Sequence, residues 1–167
     1  MTDTRTPRLA LPLLQPGQAQ KEMTCNEALA RLDLAVQGAI VAAGAQTPPA
    51  NPAPGACWVL GASPEGVWAG HPYALAGWTS SGWIFIDPHE GMQLWLGETQ
   101  GNARFSGGEW HLGEVHGKVF VEGDQVVGSR VDSIVEPSGG MTVDAEARAA
   151  IVSVLEALRA HGLIEGG

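Results

Sequence analysis

The sequence predicts an α+β chain that is mainly β, a small antiparallel barrel or sandwich set between an N-terminal and a C-terminal helix. Three observations carry this. The 167 residues include 23 Gly and 11 Pro with only 16% charged side chains, a composition of many turns and short strands rather than long helices. From Cys57 to Val121, short β-prone runs alternate with turn signals. On either side of that region, apolar residues recur at helical spacing. A chain of this length supports one proper core and a small satellite.

In chain order, Met1 to Arg8 is polar and reads as a mobile arm, without an apolar stretch of signal-peptide length. Leu9–Leu14 is apolar, but Pro12 bars it from a helix interior or a central strand, and Gln15–Gln20 turns the chain. A first helix is expected over 25–41. Thr24 and Glu27 have capping-box spacing, and Leu29, Leu32, Val36 and Ala39 or Ile40 form one face. Residues 46–55 hold Pro48, Pro49, Pro52 and Pro54, an extended linker and the expected boundary. The expected organisation is therefore an N-terminal arm and helix for docking or oligomerisation (1–45), an aromatic-rich β domain (46–135), and a linker with a C-terminal helix (136–167).

Within the β domain the expected strands are Cys57–Leu60, Trp83–Ile86, Met92–Leu96 and Lys118–Val121. Ser80–Gly82, Asp87–Gly91, Gly107-Gly108 and Gly123-Asp124 separate them, the last two as tight hairpin connections. After the break at Glu136–Gly140, Thr142 or Asp144 caps a second helix, and Gly162 sits at its stop. Its apolar face is Ala147, Ile151, Val154 and Leu158. That stripe suits packing on symmetry mates better than packing back on its own β domain, so Ile151, Val154 and Leu158 are the expected oligomerisation residues.

Charge narrows the function classes. Nine Lys plus Arg stand against 18 Asp plus Glu, a net −9, which disfavours nucleic acid and anionic membrane surfaces. No apolar run approaches the roughly 20 residues of a membrane span. Cys25 and Cys57 form no CxxC pair and read as reduced, inert thiols, consistent with synthesis in the cytoplasm. No cofactor motif or phosphate loop is present, and no cofactor or metal is expected.

Three groups of residues invite a chemical reading. Sugar rings stack their C–H faces on indole, so Trp68, His71, Tyr73 and Trp78, beside Thr79 and Ser80, form a candidate glycan surface. The opposing reading is that Trp fills the core, and Trp58, Trp83 and Trp95 are expected there. Asp87, His89 and Glu90 could serve acid–base chemistry, but Asp-Pro-His-Glu-Gly is also what a turn requires. His111 and His116 match no standard metal spacing. No catalytic residue is assigned.

The stretch Gln15–Asp33 resembles a domain family of phage tail-fibre and spike proteins and of gene transfer agents, whose Gln-Ala-Gln-Lys-Glu…Asn-Glu-Ala-Leu signature is matched from Gln18 to Leu29. Gly66–His71, Gly82-Trp83 and Pro88–Gly91 fit the same pattern, and Gly139–Arg148 resembles a tail attached to such proteins. The family often carries His where Cys25 stands. The resemblance implies a location more than a mechanism. It points to a head spike or tail fibre of a virion-like particle, homotrimeric, contacting other particle proteins and cell-surface polysaccharide. The competing classes are a structural adaptor that binds only particle proteins and, less favoured, a polysaccharide depolymerase.

Overall fold

The structure, a computed structural model, describes residues 4–15, 17, 21–97, 101–127, 129, 130, 132–141 and 144–165. It is α+β and mainly β. The chain divides into two compact units, Met1–Val115 and His116–Gly167.

The first unit begins with a strap, residues 4–14, that doubles back on itself. Arg5 bridges Pro12, the Thr6 N–H donates to Leu11 O, and the Leu13 N–H donates to Thr4 O. The arm expected to be mobile is thus bonded down over Thr4–Arg8, while Met1–Asp3 lie outside the described residues. The strap leads to helix α1, Lys21–Ala35. This helix lies earlier than the expected 25–41, so Thr24 and Glu27 fall inside it and do not form its cap. The Gln18–Gln20 part of the signature lies outside the described residues.

The buried face of α1 also differs from expectation. Leu32 and Val36 are exposed, and Asp33 and Leu34 are buried. Apolar spacing missed this because the strap grips α1 through polar side chains. Asn26 accepts from the Leu14 N–H at 2.8 Å and donates to Leu14 O at 2.9 Å. Seven residues on, the same side of the helix presents Asp33. Its carboxylate accepts from Thr6 Oγ1 (2.6 Å), the Leu9 N–H (2.6 Å) and the Arg8 N–H (3.1 Å). The Arg8 guanidinium donates to the carbonyls of Asp33, Leu34 and Gln37, satisfying the last turn of the helix with a cation at its negative end.

Strands β1 (Ala39–Ile40) and β2 (Ala42–Ala45) follow, then β3 (Cys57–Leu60), a 3₁₀ turn (Gly66–Trp68), and β4 to β8 (Leu75–Thr79, Gly82–Ile86, Gln93–Leu96, Gly101–Ser106, Glu109–Leu112). They form two four-stranded sheets, β2-β3-β4-β5 and β1-β6-β7-β8. The chain changes sheet at Val41: β1 pairs with β6 and β2 with β3, both in parallel, while the hairpins are antiparallel. Neither sheet closes into a barrel. The Pro-rich stretch, expected as a boundary, is a loop joining two paired strands inside the first unit.

Both sheets bury one shared core of Leu34, Ile40, Cys57, Val59, Leu75, Met92, Leu94, Leu96 and Ala103. The outer face of the first sheet is covered as well, by Trp58, Leu60, Trp68 and Ala76. That double burial explains why β3 reads as an unbroken apolar run.

In the second unit, β9 (Val119–Val121) and β10 (Asp124–Val127) pair across Glu122-Gly123, both at positive φ (51° and 93°). The turn therefore sits one residue before the expected Gly123-Asp124 and has the geometry that suits strand twist. Helix α2, Ala145–Ala160, is capped by Asp144, which accepts from the Ala147 N–H at 2.9 Å; Thr142 lies outside the described residues. Leu155 is its buried residue, whereas Ile151 and Val154 are 47% and 58% exposed. Among the described residues no helix is long and apolar enough to cross a membrane.

Candidate functional site

The first unit carries an open groove of roughly 1010 Å³. Its walls are the strap, one side of α1, and the β4–β5 hairpin. Strand β5 is the outer strand of its sheet, paired only with β4. Phe85 O points away from β4 and accepts from Arg31 Nη1 at 3.0 Å. Because N–H and C=O groups alternate sides along an antiparallel strand, the edge facing α1 carries the backbone groups of Trp83 and Phe85. Arg31 is oriented by Glu27 one turn earlier (3.0 Å). The pair is half-exposed, so it contributes geometry more than stability.

The hairpin turn lines the groove with hydroxyls. Thr79 Oγ1 donates to Gly82 O (2.8 Å) and accepts from the Ser81 N–H (3.2 Å), which fixes the two-residue turn Ser80-Ser81. Beyond it, the half-buried His71 ring stacks on Phe85 with centroids 3.8 Å apart and planes 6° from parallel. Trp83 completes the aromatic side. Ring faces, hydroxyls, an amide (Asn26) and a guanidinium suit the recognition of a polyhydroxylated ligand.

The structure scatters the four predicted glycan residues. His71 lines the groove. Trp68 does not: its side chain is fully buried, tilted against Trp58 (6.1 Å) and edge-on to Trp83 (5.1 Å). The 3₁₀ turn carries it under the sheet, so it offers no stacking face. Its indole N–H has no hydrogen-bond partner among the described residues, an internal cost of about 1–3 kcal/mol. Trp78 is half-buried and edge-on to Trp83 (5.0 Å). Tyr73 borders a separate hollow of roughly 200 Å³ with Trp110, and its carbonyl accepts from Trp110 Nε1 at 2.8 Å. The residues that sequence reading missed in the groove are Asn26, Arg31, Ser81 and Phe85. They lie on elements remote in sequence, so no local pattern joins them.

The three tryptophans expected in the core also divide. Trp58 is buried as expected and Trp83 is half-buried along the groove, but Trp95 is 46% exposed. Leu94 and Leu96 face the core, and strand alternation turns Trp95 outward.

The Asp87–Gly91 segment has the role of a turn. Glu90 braces the next hairpin by accepting from Ser106 Oγ (2.6 Å) and the Gly107 N–H (3.0 Å), and these bonds hold its carboxyl below the usual carboxylate range. A carboxylate held ionised in this way is a poor proton donor. His111 lies between Ser106 O and Glu114. Among the described residues no cluster of three His, Cys, Asp or Glu is placed to hold a metal. Burial pushes the Cys57 thiol up to about 11, with Arg8 opposing and Asp33 adding to the shift, while Cys25 is exposed.

A family described as a protein of unknown function (DUF2793) matches residues 25–111, spanning most of α1 and both four-stranded sheets. No curated protein matches the chain.

Proposed function

The chain belongs to the DUF2793 family, and from that premise we propose that it is a non-catalytic structural and attachment component of a phage-like or gene transfer agent particle. In this reading it is a spike or fibre subunit that assembles as a homotrimer with other particle proteins and touches cell-surface polysaccharide through the β4–β5 groove. The particle assignment rests on the resemblance at residues 18–29 and 139–148; the family match itself carries no function.

The observation that supports assembly is the second unit. Val119, Phe120, Val121 and Val127 of its hairpin and Ile151 and Val154 of α2 are all more than two-fifths exposed. A two-stranded hairpin is marginal alone, and burying one such side chain contributes about 1.5–3 kcal/mol. Copies of the same face supply that burial, with β-branched and Leu side chains at Ile151, Val154 and Leu158 forming the seam. Several weak sugar contacts per particle then act together. The net −9 keeps the assembly off nucleic acid, and the subunit is made in the cytoplasm without a cofactor.

Analytical ultracentrifugation with a cell-binding assay tests this. The expected result is a trimer at micromolar concentration that binds polysaccharide-coated cells, and a monomer with weak binding for the Ile151→Lys, Val154→Lys double variant. A wild-type monomer, or a trimer without affinity for coated cells, refutes the corresponding half. A second reading, an adaptor that binds particle proteins alone, is favoured by the burial of Trp58 and Trp68. It predicts a trimer that ignores coated cells and co-sediments with capsid or tail proteins.

A further inference from the structure

The exposed Trp95 stands at the centre of a second surface, on the opposite sheet from the groove. In strand register, Trp95 lies beside Asn102, and Gln93 lies beside Arg104, which lies beside His111. Directly paired residues share a face of the sheet, and that face alternates with the core residues Leu94, Leu96 and Ala103. The outer face of β6–β7–β8 therefore presents one indole flanked by two amides, a guanidinium and an imidazole. On the other side, β1 places the small Ala39 beside Trp95, so no bulky side chain covers the ring there. From β6 to β8 the patch spans two strand spacings, roughly 10 Å.

Two features distinguish this face from an ordinary solvated sheet. Among the described residues Trp95 is the one exposed tryptophan; the others are buried or half-buried. Among the described residues Arg104 makes no ion pair, and its Nε, itself buried, has no hydrogen-bond partner. A half-buried guanidinium and two amides around an open indole match a sugar ring: C–H bonds stack on the aromatic face while hydroxyls accept from the guanidinium and amides. Charge decides the class of sugar. Glu109 and Glu114 lie at the His111 side of the patch, Glu90 is close enough to feel Arg104, and the chain carries a net −9. These three carboxylates outnumber the one Arg104 cation, so the patch repels a uronate polymer and leaves an uncharged one unaffected.

We propose that the Trp95 face of the β6–β7–β8 sheet is a platform for an uncharged hexose polysaccharide, separate from the groove. The proposal rests on the attachment reading above, and the groove supplies its control. Affinity electrophoresis of the full chain through gels containing soluble β-glucan, α-mannan, galactan or alginate tests it. The expected result is retardation by at least one of the three neutral polymers and not by alginate. Trp95→Ala weakens that binding at least tenfold, Trp95→Phe restores part of it, and binding shifts the tryptophan emission of the wild type to the blue. Trp95 lies outside the core, so its replacement leaves the fold intact, checked by far-UV circular dichroism. Unchanged binding in Trp95→Ala, preference for alginate, or no retardation by any neutral polymer overturns the platform. If Phe85→Ala abolishes binding to coated cells while Trp95→Ala does not, the platform fails and the groove reading stands. Loss of binding in Trp95→Ala with Phe85→Ala unchanged supports the platform against the groove.

Discussion

The seating of α1 on the first sheet can be tested through Gly77, which lies in the middle of β4 opposite Ile84. Leu34 enters the sheet at this glycine. A methyl group at Gly77 would overlap Leu34 Cδ1 and stand 2.7 Å from Cδ2 and 3.0 Å from Cγ, where carbon atoms prefer roughly 3.5–4.0 Å. Leu34 is 1% exposed, so its side chain has no open space into which to rotate. Overpacking of this kind costs about 1–3 kcal/mol. The lower chain entropy of Ala in the unfolded state offsets about 0.4–1 kcal/mol of it. Gly77→Ala should thus lose about 1–2 kcal/mol of stability. Leu34→Ala alone opens a cavity and should cost about 2–5 kcal/mol. In the double variant the new methyl occupies part of that cavity, so the two losses should fall short of their sum by about 1–2 kcal/mol. Equilibrium urea unfolding followed by tryptophan fluorescence measures all four proteins, with the slope unchanged. Additivity within about 0.5 kcal/mol, or a Gly77→Ala protein as stable as wild type, would refute the claim that this contact seats the helix.

Further outcomes follow from the strap and from the two thiols. Asp33→Ala leaves three donors from Thr6, Arg8 and Leu9 without their acceptor and should cost about 3–5 kcal/mol. Thr6→Ala should cost about 1–2 kcal/mol alone and nearly nothing on top of Asp33→Ala, read from denaturation midpoints; equal costs in both backgrounds would contradict the contact. The Cys57 thiol is raised from 9.0 to about 11 by burial. Because the folded value exceeds the unfolded one, its contribution to stability is complete below pH 9.0 and is lost as pH rises towards about 11. Melting temperature measured from pH 8 upward should fall across that window, less so in Cys57→Ala. At pH 8, iodoacetamide should modify the exposed Cys25 and leave Cys57 unmodified until the protein is unfolded.

Local chemistry determined much of this molecule from the sequence alone. The hairpin turns at Ser80-Ser81 and Gly107-Gly108, strands β3, β5, β6 and β9, and α2 with its Asp144 cap lie close to where short-range rules place them, because each depends on a few adjacent residues, whereas β4, β7 and β8 carry too few β-prone residues to be expected. The acidic balance likewise needs no coordinates. Tertiary structure alone decided which face of each strand meets the core. Alternation says that Trp95 opposes Leu94 and Leu96, yet a run of four apolar or neutral residues does not say which set turns inward. The burial of Trp68 depends on a sheet whose outer face is also covered. Asn26, within the signature, and Asp33, beyond it, grip a strap 12 and up to 27 residues away, and the two parallel pairings begin where the chain crosses sheets at Val41. These contacts join segments distant in sequence. Their partners were chosen by the packing of the whole unit, which no local pattern of residues encodes.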